Sequence, residues 1–126
     1  MDFTQNFQPR QIVCLEHEGN CLYAEVIQVV VSRQLCWVRP LMLGVLPTGF
    51  FSSEQPLVLT DLRCCADLLW PIILFRPALD TEVVPLLATM LPSEPPLERD
   101  SVAQQQLSQF IHQVWQAYKS VFQIQA

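Results

Sequence analysis

The chain predicts an α+β fold: a small antiparallel β-barrel or strongly bent sheet followed by two C-terminal helices, the last long and amphipathic. Three observations carry this. Apolar, β-branched stretches separated by turn residues fill residues 8–76. Proline-punctuated connections follow, and the last 26 residues hold an apolar stripe with helical period. Strands first and helices after are the pattern of a β core with helices on one side or end.

In chain order, Gln11 to His17 (QIVCLEH) reads as a strand and Glu18-Gly19-Asn20 as a turn. Cys21 to Leu43 (CLYAEVIQVVVSRQLCWVRPLML) reads as a hairpin with its turn at Ser32-Arg33-Gln34. A three-residue turn would set Val31 opposite Leu35. Alternation then sorts the side chains into two sets. Leu22, Ala24, Val26, Gln28, Val30, Cys36, Val38, Pro40 and Met42 form one, while Tyr23, Glu25, Ile27, Val29, Val31, Leu35, Trp37, Arg39 and Leu41 form the other. Both sets are largely apolar, so the hairpin needs cover on two sides.

Gly44 to Pro56 reads as a loop, Leu57 to Leu62 as a strand, and Ile72 to Phe75 as a last bent strand beyond Pro71. Asp80-Thr81-Glu82 places acids in a first helical turn, giving a short helix over 80–92 despite Pro85. Residues 93–100 are a proline-rich connection. Ser101 and Gln104 have capping-box spacing and open a helix over 101–124. Its stripe is Leu107, Phe110, Ile111, Val114, Trp115, Tyr118, Val121 and Phe122. Burying that stripe is worth on the order of 10 kcal/mol before ordering costs. The second face of the hairpin, or another exposed part of the sheet, is the surface it is expected to cover. One domain of 126 residues results, its barrel or bent sheet of about SH3 size.

Composition narrows the function classes. Charged residues are only 15% of the chain against 51% apolar, so part of the surface is expected to be covered by a protein partner, and a homo-oligomer is one way to cover it. The net charge is -5, and the seven basic residues are scattered. Nucleic acid and anionic lipid are therefore poor partners. The N-terminal residues lack a signal-peptide pattern and no apolar run reaches membrane-spanning length, so no membrane span is expected. Five cysteines, an odd number, read as reduced thiols in a cytoplasmic protein.

Motifs for chemistry are sparse. Cys14, His17 and Cys21 lie close in sequence, but Cys14 and His17 point to opposite faces of a strand and no second pair completes four ligands. No metal or other cofactor is expected. The vicinal pair Cys64-Cys65 beside Arg63 suggests an alternative, a small-ligand or redox-responsive regulator, although no base accompanies the thiols. No phosphate loop, nucleophile elbow or HExxH pattern points to an enzyme. Aromatic and arginine side chains anchor protein interfaces. Tyr23, Glu25, Trp37 and Arg39 share one hairpin face, and Phe50 and Phe51 follow Gly49 in a long loop; these six are the candidate partner-binding residues. Tyr23 and Trp37 as base-stacking platforms for single-stranded nucleic acid form a further alternative, which the acidity opposes. The glutamine-rich far side of the last helix (Gln104, Gln105, Gln106, Gln109, Gln113, Gln116) is a second candidate surface.

The stretches LYAEVIQVVVSRQLCWVRPL and DLLWPIILFRPALD resemble small soluble cyanobacterial proteins that act as accessory or assembly factors. The resemblance implies a cytoplasmic helper of a larger machine, such as a carboxysome, photosynthetic complex or pilus. A non-catalytic adaptor or assembly chaperone is the expected function.

Overall fold

In the computed structural model, residues 7–45, 58–90 and 101–119 are described. They form an antiparallel sheet of six strands with two α-helices. The strands are β1 (Ile12–His17), β2 (Asn20–Val30), β3 (Leu35–Val45), β4 (Val58–Asp61), β5 (Leu68–Pro71) and β6 (Arg76–Pro77), and the helices are α1 (Asp80–Met90) and α2 (Ser101–Ala117). The order across the sheet is β4-β3-β2-β1-β6, with β5 also paired to β3.

The sheet is open, so the barrel alternative gives way to a bent sheet. Its edges are β6 on one side and β4 with β5 on the other. Chain length forces the bend. Going from β5 to β6 in a flat sheet would cross four strand spacings of about 4.8 Å, or about 19 Å. The chain makes that passage from Pro71 to Arg76, partly as a 3-10 turn at Ile72–Leu74. Five extended residues reach at most about 18 Å, and a 3-10 turn shortens them. The two edges must curl toward each other.

The β1–β2 turn forms where expected, with Glu18 and Gly19 both at positive φ, as a two-residue hairpin loop of primed type demands. The β2–β3 turn differs. It is a 3-10 turn at Val31–Arg33 closed by Gln34 in the left-handed region, so Val30, not Val31, stands opposite Leu35. Two register shifts then change which faces side chains occupy. Ile27 is an extra residue between the pairs Val26–Val38 and Gln28–Trp37, and Leu41 is one between Ala24–Pro40 and Tyr23–Met42. Each bulge flips the alternation beyond it. Met42 thus leaves the set of Leu22 and Val38, and Leu43 and Val29 join it. Strong twist in a long hairpin is what such bulges accommodate.

Pro40 explains another irregularity. It has no N–H for a ladder, and the pairing along that edge of β3 breaks between Val38, the last partner of β5, and Met42, the first partner of β4. The chain from Leu62 to Asp67 bridges the gap, with Leu62 N–H donating to the Leu41 carbonyl at 2.9 Å. The strand expected from Ile72 to Phe75 is replaced by β5 before it, at Leu68–Pro71, and the two-residue β6 after it; residues 72–74 form the 3-10 turn instead.

The helices cover opposite faces. Ala103, Leu107, Phe110 and Val114 of α2 are buried with Leu15, Leu22, Ala24, Val26, Cys36 and Val38 in the main core. This is the first hairpin set rather than the second, because it is the more continuously apolar one. Trp115 and Tyr118 stay exposed beside the packed stripe, and Val121 and Phe122 lie outside the described residues. The second set is covered by α1, whose Val83 packs with Cys14, Tyr23 and Met42 and is flanked by Leu86 and Leu87. Pro85 has no N–H to offer residue 81, so this short helix leans on that packing. Among the described residues, no helix is long and apolar enough to cross a membrane.

Candidate functional site

The second face of the sheet is divided. Its half near the β1–β2 turn lies under α1, and its half near the β2–β3 turn has no helix on it among the described residues.

On the uncovered half, Trp37 and Leu69 are cross-strand partners on β3 and β5 and are 39% and 55% exposed. Val31 and Ile73 are further exposed apolar residues at the same end, in the two 3-10 turns that the Ile72 N–H joins by donating to the Gln34 carbonyl at 2.9 Å. These are 66% and 75% exposed. Asp67 fixes the polar margin. Its Oδ2 accepts from the Trp37 indole N–H at 3.0 Å, and its Oδ1 lies 3.5 Å from Arg39 Nε. One carboxylate thus meets both an aromatic ring and a cation. Glu25 stands opposite Arg39 in register and is half-buried.

The expected site residues separate. Trp37, Arg39 and Glu25 come together here. Tyr23, expected beside them, is 3% exposed beneath α1, because β2 carries it toward the covered end. Trp37 and Tyr23 therefore form no shared stacking surface. Phe50 and Phe51 lie outside the described residues. Leu69, Asp67, Val31 and Ile73 were not singled out by sequence. Asp67 gains its role only through the pairing of β5 with β3, a contact across 30 residues that no local pattern announces.

The covered half holds a polar network. The Tyr23 hydroxyl donates to Glu82 Oε1 at 3.0 Å, and Arg76 grips Glu82 with two N–H groups at 3.0 and 3.1 Å. Arg76 also donates to Glu16 through Nε at 2.9 Å and through its terminal nitrogen. Glu82 reaches back to the Leu79 N–H at 3.3 Å, capping the start of α1. Burial opposes charge on Glu82, but these bonds outweigh it and hold its carboxyl below the usual range. The bonds to Glu82 and Glu16 raise Arg76, with burial acting against them. Burial raises the Tyr23 phenol.

Two thiols complete the network. Cys14 and Glu16 point to one face of β1, and Cys21 on β2 stands directly opposite Glu16. A hydrogen bond between the thiols raises Cys14 and lowers Cys21; burial raises both, and the Tyr23 hydroxyl further lowers Cys21. The donor atoms of Cys14, Glu16 and Cys21 lie within 4.8 Å of one another. His17 points away, as its odd separation from Cys14 requires, and meets Tyr118 edge-on at 6.0 Å on the α2 side.

The vicinal cysteines look different in context. Cys65 is buried in the main core, and Cys64 packs against that core. The Arg63 guanidinium is held by Asp61, with a closest approach of 2.8 Å. On α2, Gln106, Gln109 and Gln113 line an open groove with Asn20, and Gln106 accepts from the Thr60 hydroxyl at 2.5 Å.

Comparison of the chain with protein-family models, with curated proteins and with solved structures yields no match.

Proposed function

We propose that this chain is a non-catalytic protein-binding module, an adaptor or assembly chaperone of a larger cytoplasmic machine, and that it binds its partner through the uncovered half of the sheet. The observation that carries the reading is the exposure of Trp37 and Leu69 on a part of the sheet with no helix over it among the described residues, with Val31 and Ile73 exposed in the adjoining 3-10 turns and Arg39 and Asp67 at the border. An exposed aromatic oriented by a hydrogen bond loses little freedom on binding, and an apolar centre with a polar margin is the anatomy of a protein interface. The resemblance to cyanobacterial accessory factors supports a carboxysome, photosynthetic complex or pilus as the machine.

The test uses the full chain as bait in an extract, with Leu69→Glu and Ile73→Glu as matched baits. Both positions are exposed, so the charge should leave folding intact. A protein retained by the wild type and lost from both variants, at unchanged melting temperature, is the expected result. Equal retention by all three, with loss on Gln109→Glu/Gln113→Glu, moves the interface to α2 and contradicts the reading.

A further inference from the structure

We propose that Cys14, Glu16 and Cys21 form a binding site for a thiophilic divalent cation, with Zn²⁺ the ion that suits it best. The site is independent of the partner-binding strip and lies on the covered half of the same face.

Strand geometry assembles it. Cys14 and Glu16 are two residues apart on β1 and share a face, and Glu16 is the register partner of Cys21. The His that sequence spacing suggested is on the other side of the sheet, and the carboxylate between the two cysteines takes its place as third donor. All three donor atoms already fall within 4.8 Å of one another. A tetrahedral ion with Zn–S bonds of about 2.3 Å needs sulfurs about 3.8 Å apart, so small side-chain adjustments close the site.

Donor chemistry selects the ion. Two sulfurs exclude Mg²⁺ and Ca²⁺, which take oxygen ligands, and favour a soft or borderline cation. Two thiolates and a carboxylate carry three negative charges against two on the ion. Arg76, bonded to Glu16 and shared with Glu82, stands beside the site and offsets part of the remainder. Burial is graded: Cys14 is enclosed under α1, Cys21 is half-buried and Glu16 is exposed. Three protein donors with one side facing solvent leave a fourth position for water or an incoming ligand atom.

The experiment titrates the full-length, reduced and chelator-treated chain with Co²⁺, whose thiolate charge-transfer absorption reports sulfur ligation, and then displaces it with Zn²⁺. One equivalent of Co²⁺ with that band, bleached by Zn²⁺, is expected. Cys14 is fully enclosed, so the informative variants are at the accessible positions. Cys21→Ala should weaken binding by at least about 100-fold, beyond the 10- to 100-fold cost typical of outer contacts. Glu16→Gln should keep the band and weaken binding by about 10-fold or more. Cys64→Ser should bind as the wild type. Absence of one-to-one binding, an unchanged Cys21→Ala or Glu16→Gln, or loss of the band in Cys64→Ser overturns the site.

Discussion

The two halves of the second sheet face are built on the same strands and differ in what lies over them. Under α1, every polar group described has a partner: Tyr23 and Arg76 meet on Glu82, Arg76 also meets Glu16, and Cys14 and Cys21 meet each other. At the other end, Trp37, Leu69 and Ile73 present apolar surface to solvent, and the Asp67 carboxylate orients a ring and a guanidinium at the margin. Closure makes polar groups costly unless paired, so the covered half is a matched network. Openness makes apolar groups available, so the uncovered half suits a partner. Equal sequence character can serve structure at one end and recognition at the other.

Substitutions that put charge on each half should separate them most sharply. Val83→Asp places an unpaired carboxylate between α1 and the sheet and should cost about 3 kcal/mol or more, seen as a large fall in denaturant midpoint. Ile73→Asp on the open half should stay within about 0.5 kcal/mol of wild type. A smaller effect is expected from Tyr23→Phe, which removes the hydroxyl that Glu82 accepts. Its cost should be about 1 kcal/mol by the same measurement, and an unchanged midpoint would mean that the network does not hold α1 in place.

Acid should distinguish the halves as well. The folded-state pKa of Glu82 is depressed, so its contribution to stability is fully present above the ordinary glutamate value of about 4.3 and is lost as pH falls through the lower folded value. Asp61, lowered by Arg63 against the opposing effect of burial, adds a dependence of the same sign. Melting temperature against pH should decline through the acid range, and Glu82→Gln should flatten part of that decline. A profile identical to wild type would remove Glu82 from the acid response. The smallest change belongs to Trp37→Phe, which loses the bond to Asp67 at an exposed site. It should shift stability by about 0.5 kcal/mol or less.

The elements set by local pattern were legible in the sequence, and those set by distant pairing were not. Leu107, Phe110 and Val114 repeat at helical spacing, and the β2–β3 hairpin carries its own alternation, so α2 and the two long strands follow from their residues. Met42 was misplaced because the bulge at Leu41 reverses the alternation, and nothing in the Pro40-Leu41-Met42 triplet fixes which residue bulges until β4 and β5 divide the edge around it. The choice of face by each helix was hidden for the same reason. Both hairpin sets are apolar, and only the burial of Leu22, Val26 and Val38 against α2 settles which helix takes which. Trp37 and Arg39 were found by chemistry and face, whereas Asp67 and Leu69 became visible only as neighbours across strands.

Amide hydrogen exchange of the full chain, with and without the protein that the Leu69→Glu comparison identifies, tests the central claim most directly. Added protection at residues 31–39 and 66–75, with 80–88 and 101–117 unchanged, is the predicted footprint of a partner on the uncovered half. Protection confined to 104–117, along the glutamine side of α2, would contradict it.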